Sequence, residues 1–198
     1  LLTKPTFLLN VTLNQARQIT GVFAGDLIKA HQAGCEFARR HAIRKVPQPF
    51  DIVITSNSGY PLDLNLYQAV KGMSAAARIV KPGGVIIMAA ECWDGIPNHG
   101  EFKRLLWEAG SPEEILNRIM TPGFRCHDQW EAQILAQLRQ KASIYLYTDG
   151  LTEEEIRRSH LLPCPSVEET VKELLRSNPQ ATIAVLPDGP QTVPTLAS

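Results

Sequence analysis

No stretch of this 198-residue sequence approaches the ~20 consecutive apolar residues that cross a bilayer. Its start also lacks the basic residues and long apolar core of a secretory signal. Charge of one sign is missing too. Lysine plus arginine equal aspartate plus glutamate at 20 each, so nothing favours a polyanionic partner such as nucleic acid. Cys35, Cys92, Cys126 and Cys164 are scattered and form no CxxC pair, which reads as free thiols in a cytosolic protein rather than a disulfide framework. Neither GxGxxG nor a P-loop is present, which disfavours a nicotinamide dehydrogenase fragment. His31, His41, His127 and His160 lie apart and form no HxxxH pair.

A chain of this length buries roughly 70% of the surface its unfolded form exposes, enough for one core, or one core plus an appendage. Two β-rich runs, Thr6–Thr12 and Ile19–Ala24, flank the polar Asn14-Gln15-Ala16-Arg17-Gln18 and predict a hairpin. Gly25-Asp26 then leads into a helix over 27–43, with Leu27, Ala30, Ala33, Phe37 and Ala38 on its apolar side. Lys45-Val46-Pro47-Gln48-Pro49 reads as a linker, because two prolines forbid helix and central strand alike. The expected division is therefore 1–45, a hairpin-and-helix piece, and 46–198, an α/β domain.

Within the second part strand and helix signals alternate. Strands are expected at 51–55, 85–90, 143–148 and 182–186, and helices at 64–79, 101–109, 112–120, 128–141, 152–158 and 166–176. Lys81-Pro82-Gly83-Gly84 reads as a stop before the second strand, and Ser166 with Glu169 as a capping box. Such alternation predicts an α/β fold: a mainly parallel sheet with helices on both faces.

The most informative segment follows the first of these strands. Asp51-Ile-Val-Ile-Thr55 is a short β-branched run, Ser56-Asn57-Ser58-Gly59-Tyr60-Pro61 cannot continue it, and Asp63 is placed to cap a helix from Leu64. On that helix Tyr67 and Lys71 are four apart, and Gln68 and Lys71 three apart, so their tips can share one edge. An amide and an ammonium beyond the carboxyl end of a parallel strand suit a small anion such as a carboxylate. The plain alternative is a solvated helix face. Hydroxyls and free amides in the Ser56–Gly59 turn are a weaker candidate for an anion. Glu91, Cys92, Asp94 and His99 crowd one loop without matching a zinc spacing.

DIVITSNSGYPLDLNLYQAVKGMSAAARIVKPGGVIIM (51–88), AECWDG (90–95), DQWEAQIL (128–135) and VLPDGPQTVP (185–194) resemble the C-terminal half of the nickel-dependent lactate racemase family. The likeness is most specific in SNSGYPLDLNLYQAVKGM and covers most of the chain. It implies a racemase or epimerase of 2-hydroxy acids that passes the substrate's hydride to a nickel pincer nucleotide, a pyridinium mononucleotide carrying nickel. By the resemblance, Gln68 and Lys71 match positions that hold the substrate carboxylate. Tyr67 adjoins them against substrate or cofactor, and Trp130 matches a tryptophan near the active site. The family's cofactor lysine, nickel-binding histidine and acid–base histidines lie upstream of this segment, so no catalytic residue and no metal ligand is carried over.

Together with a first residue that is not methionine, the likeness suggests a piece of a longer, cytoplasmic polypeptide. Its partners would be the 2-hydroxy acid and the protein's own N-terminal domain, which would bind most of the cofactor, with no nucleic acid and no membrane. One departure stands in the tail: where family sequences commonly place an aromatic, Pro194 is followed by Thr195. The competing reading is a non-catalytic α/β module that binds a small anionic ligand.

Overall fold

The computed structural model describes residues 4, 6–14 and 16–197. The chain divides into two compact units, Leu1–Arg44 and Lys45–Ser198.

In the first unit β1 (Leu8–Leu13) pairs antiparallel with β2 (Ile19–Gly25), and α1 (Leu27–Ala42) follows. Gln15 of the expected connection lies outside the described residues. Around it, Asn14 Oδ1 accepts from Gln18 N at 2.9 Å. The Asp26 carboxylate caps α1 by accepting from the Ile28 and Lys29 amides, as an aspartate at N-cap should. Ala30 alone is buried on α1, so this unit holds little apolar core among its described residues.

The expected linker begins within a short strand, β3 (Ile43–Val46), which pairs with the last strand of the chain. Then come β4 (Phe50–Ser56), α2 (Leu66–Ala77), β5 (Val80–Ala89), α3 (Phe102–Glu108), α4 (Pro112–Met120) and α5 (Gln129–Lys141). They are followed by β6 (Ser143–Tyr147), α6 (Glu153–Arg158), β7 (Leu162–Pro163), α7 (Val167–Ser177), β8 (Ile183–Leu186) and β9 (Val193–Leu196). Five strands form one parallel sheet in the order β7-β6-β5-β4-β8. Successive side chains of these strands face opposite ways. Val53, Ile86, Met88, Ile144 and Leu146 join the large core with α2 and α5. Ile52, Ile87, Val85 and Ile183 meet Val167, Val171 and Leu174 of α7 on the other face. The sheet is therefore covered on both faces, as the alternation predicts.

Three local expectations need correction. Asn65, not Asp63, caps α2, accepting from Gln68 N at 3.1 Å. Asp63 is occupied elsewhere: its carboxylate accepts from Glu91 N at 3.3 Å and its carbonyl from Cys92 N at 3.0 Å. The Lys81–Gly84 stop does not delay β5, which starts at Val80. The β4–β5 register jumps between Phe50 and Ile52, and this irregularity absorbs the proline and glycines. Ser166 accepts from Glu169 N, but the Glu169 carboxylate turns to Lys172, so the box there is half made. A complete box forms instead at Thr152 and Glu155.

The Thr195 tail docks as β9, and Ala197 N donates to Val46 O at 2.8 Å. No described helix is long and apolar enough to cross a membrane.

Candidate functional site

Helix α2 carries small residues at Ala69, Gly72, Ala75, Ala76 and Ala77, all buried, which lets it lie close on the sheet. Its remaining edge presents Tyr67, Gln68 and Lys71. The Lys71 ammonium donates to Gln68 Oε1 at 2.5 Å, the pairing that spacing three residues apart predicts. Lys71 is exposed and Gln68 half-buried. Because Gln68 accepts through its oxygen, its NH2 group still has protons to donate.

Tyr67 is half-buried, with its ring edge-on to the fully buried Phe102 at 5.3 Å between centroids. Its hydroxyl accepts from Trp130 Nε1 at 3.1 Å. Burial raises the Tyr67 pKa above its ordinary value and the indole bond pulls the other way, so the phenol stays protonated at neutral pH. Trp130 belongs to the first turn of α5 and is half exposed; the four expected residues thus form two contacting pairs, Gln68 with Lys71 on α2 and Tyr67 with Trp130 between α2 and α5.

Two neighbours, Glu131 and His127, were not assigned to the site from the sequence. Glu131 is only 5% exposed beside this seam. Burial raises its pKa most, the Asp128 charge adds to the rise, and the Lys71 charge opposes both. Its signal was legible: Glu131, Leu135 and Leu138 follow helical spacing, so the carboxylate stands in line with an apolar stripe. His127 stands edge-on to Trp130 at 6.0 Å and 3.1 Å from Asp128 Oδ2.

In the Ser56–Gly59 turn the Ser56 and Asn57 side chains are committed internally, while Ser58 Oγ is buried without a hydrogen-bond partner among the described residues. Ser56 Oγ donates to Pro187 O and accepts from Ser58 N, while the Asn57 side chain is turned into α2. Beside the turn, a cleft of about 310 Å³ at the carboxyl ends of β4, β5 and β6 is lined by Asp63, Glu91 and Asp149 among others, with no basic side chain. Three carboxylates repel an anion there, whereas Lys71 and Gln68 attract one. Glu91, Cys92, Asp94 and His99 do not converge on a metal: among the described residues no three His, Cys, Asp or Glu side chains do. Cys92 is fully buried, and burial pushes its thiol up to about 12.

Residues 45–193 match the lactate racemase C-terminal domain family. The chain belongs to that family. It is 42% identical over 187 residues to the lactate racemase of Thermoanaerobacterium thermosaccharolyticum, covering 92% of this chain and 43% of that protein. It is 38% identical over 190 residues to the lactate racemase of Lactiplantibacillus plantarum, covering 94% and 44% respectively. Lactate racemase likeness extends to three dimensions. The structure of the Thermoanaerobacterium lactate racemase apoprotein superposes with a TM-score of 0.88 at 40% identity, over 96% of this chain and 46% of that one. A crystal structure from Thermotoga maritima shares the fold at 13% identity and a TM-score of 0.67, over 96% of this chain and 49% of that one. The chain spans less than half the length of the curated lactate racemases it matches.

Proposed function

We propose that this chain is the substrate-holding part of an isomerase that racemises or epimerises a 2-hydroxy acid, lactate or a close analogue. The observation that supports this most is the Lys71–Gln68 pair, held on the rigid helix α2 beside the Tyr67–Trp130 wall. Removing hydride from the hydroxyl-bearing carbon leaves a planar 2-keto acid, and inversion requires its two faces to exchange while the carboxylate stays fixed. Lys71 holds that carboxylate by a charge-assisted bond, and the Gln68 NH2 group adds a second, directional one. Tyr67 and Trp130 close the pocket laterally, and the Tyr67 hydroxyl, already accepting from the indole, keeps its own proton to donate.

The nickel pincer nucleotide implied by the likeness would supply the hydride acceptor. The described residues offer nickel no ligand set, so they do not fit as its holder. In this reading the protein's own N-terminal domain, outside this chain, binds most of the cofactor, and Tyr67 alone lies against it. The chain by itself then binds substrate without turning it over.

The test uses a polypeptide of the relatives' length that carries this chain. Lys71→Ala should lower kcat/KM roughly ten- to a hundredfold, the worth of one charge-assisted bond, at unchanged Tm. Lys71→Arg should restore little, since a planar fork replaces a compact ammonium poorly. Near-normal kinetics in Lys71→Ala, or a loss that merely tracks a collapsed Tm, would place the carboxylate site elsewhere.

A further inference from the structure

Asn57 ends strand β4's run toward α2, and it is 1% exposed. Its Oδ1 accepts from Gly72 N at 2.9 Å, and its Nδ2 donates to Gln68 O at 3.0 Å and to Leu62 O. Gln68 O and Gly72 N are the acceptor and donor that face each other across one helical turn, four residues apart. The carboxamide thus grips the one turn of α2 that carries Gln68 and Lys71.

Two glycines make room for the grip. A Cβ at Gly72 would stand 2.8 Å from Asn57 Oδ1 and from Ser56 O, distances real Cβ atoms do not reach. A Cβ at Gly189 would stand 3.1 Å from Gly72 Cα and 2.6 Å from Ser56 O. Asn57 also bridges Asp188 in a short antiparallel contact. The segment around Asp188 and Gly189 therefore packs against the same turn.

We infer that Asn57 is a positioning residue for the carboxylate site: its amide, backed by Gly189, fixes the register and tilt of the turn that presents Gln68 and Lys71. The inference rests on the proposed role of those two side chains. Were the amide removed, Gly72 N and Gln68 O would still have each other within the helix. Fold would therefore suffer less than the placement of the site. A purely structural asparagine would show the reverse.

The test takes the 15N-labelled chain with sodium L-lactate as probe. In the wild type, lactate should shift the Gln68 side-chain amide and the Trp130 indole resonances, and Lys71→Ala should abolish those shifts. Failure of either step overturns the carboxylate reading itself and takes this inference with it. Given both, Asn57→Ala should weaken lactate binding about tenfold, as one misplaced charge-assisted bond would. It should also displace the Gln68 side-chain resonance before any lactate is added, while resonances of β6 and α7 stay in place. Asn57→Asp keeps the acceptor for Gly72 N but sets a carboxylate oxygen against Gln68 O. It should weaken binding as much, and it serves if Asn57→Ala does not fold. Wild-type affinity in either folded variant, or an unfolded spectrum from both, overturns the positioning role.

Discussion

Gly72→Ala tests the packing beneath the candidate site, because two rules predict opposite signs for it. Intrinsic helix propensity favours alanine over glycine by about 1 kcal/mol. Close packing opposes it: the new methyl would meet Asn57 Oδ1 at 2.8 Å, Ser56 O at 2.8 Å and Met88 Cε at 2.9 Å. Met88 is fully buried and Ser56 O is backbone, so neither contact is relieved by swinging an exposed chain tip aside. Overpacking of this kind costs about 1–3 kcal/mol. If the Asn57 amide is pushed off Gly72 N, a buried pair loses its bond, at about 1–3 kcal/mol more. The balance is a net destabilisation near ~3 kcal/mol, or a Tm drop of roughly 6–12 °C for a chain this long. Thermal and urea unfolding of the chain followed by circular dichroism reads this directly. Ser74→Ala on the same helix is the control; it removes only a bond to Val70 O and should stay within about 0.5 kcal/mol. A Gly72→Ala protein as stable as wild type, or more so, would show that α2 is not wedged against β4 as described.

Asp51 accepts from Lys81 Nζ at 2.8 Å and from the Thr182 amide at 2.8 Å and hydroxyl at 2.6 Å, tying β4 to β5 and β8. The Lys81 bond first, and the Thr182 bonds next, hold its carboxyl well below the ordinary value of 3.8. A lowered native pKa gives stability that is complete above the ordinary carboxylate range and lost as pH falls through it. Tm should therefore decline from about pH 5 downward. Asp51→Asn should lower Tm at pH 7 and flatten that acid limb in pH-stepped calorimetry; an unchanged limb refutes the linkage. Amide hydrogen exchange should show weaker protection in Leu8–Ala42 than in β4 and β5, since a two-stranded ribbon with one buried alanine on its helix is marginal alone. Equal protection throughout would refute that reading.

The elements legible in the sequence were those whose signals are local. Helix α4 runs over its expected residues because Ser111 caps it and Pro112 sits at its first position, signals that need no tertiary partner. The α2 start was misread because Asp63 and Asn65 are both good caps. What separates them is that Asp63 is claimed by the loop after β5, a contact far away in sequence. Strands β3, β7 and β9 escaped notice because two to four residues carry no period, and β7 and β9 contain a proline. The site divides the same way. Helical spacing alone puts Gln68 against Lys71, while the approach of Trp130 to Tyr67 spans 63 residues and was expected only through the family likeness. Asn57 was assigned to a turn because nothing in a turn sequence says that its side chain will enter a helix eleven residues on.

Charge decides where on this fold a carboxylate can sit. Open parallel sheets commonly place ligands at the carboxyl ends of their strands, and here that position is the cleft holding Asp63, Glu91 and Asp149. A hydroxy acid placed there would set its carboxylate against three others with no cation among the lining residues. On α2 the Lys71 ammonium has Gln68 as its hydrogen-bond partner and no ion pair among the described residues, so its charge is not yet spent on a carboxylate. Glu131 is the nearby competitor, but burial disfavours its charged form, which weakens its hold on Lys71 relative to a solvated incoming carboxylate. In the reading we propose, the anion subsite therefore lies on the helix rather than at the strand ends. Under that reading the Asn57 grip on α2 and the close approach of Gly189 to Gly72 have a purpose, because a site on a helix edge is only as well placed as the helix itself.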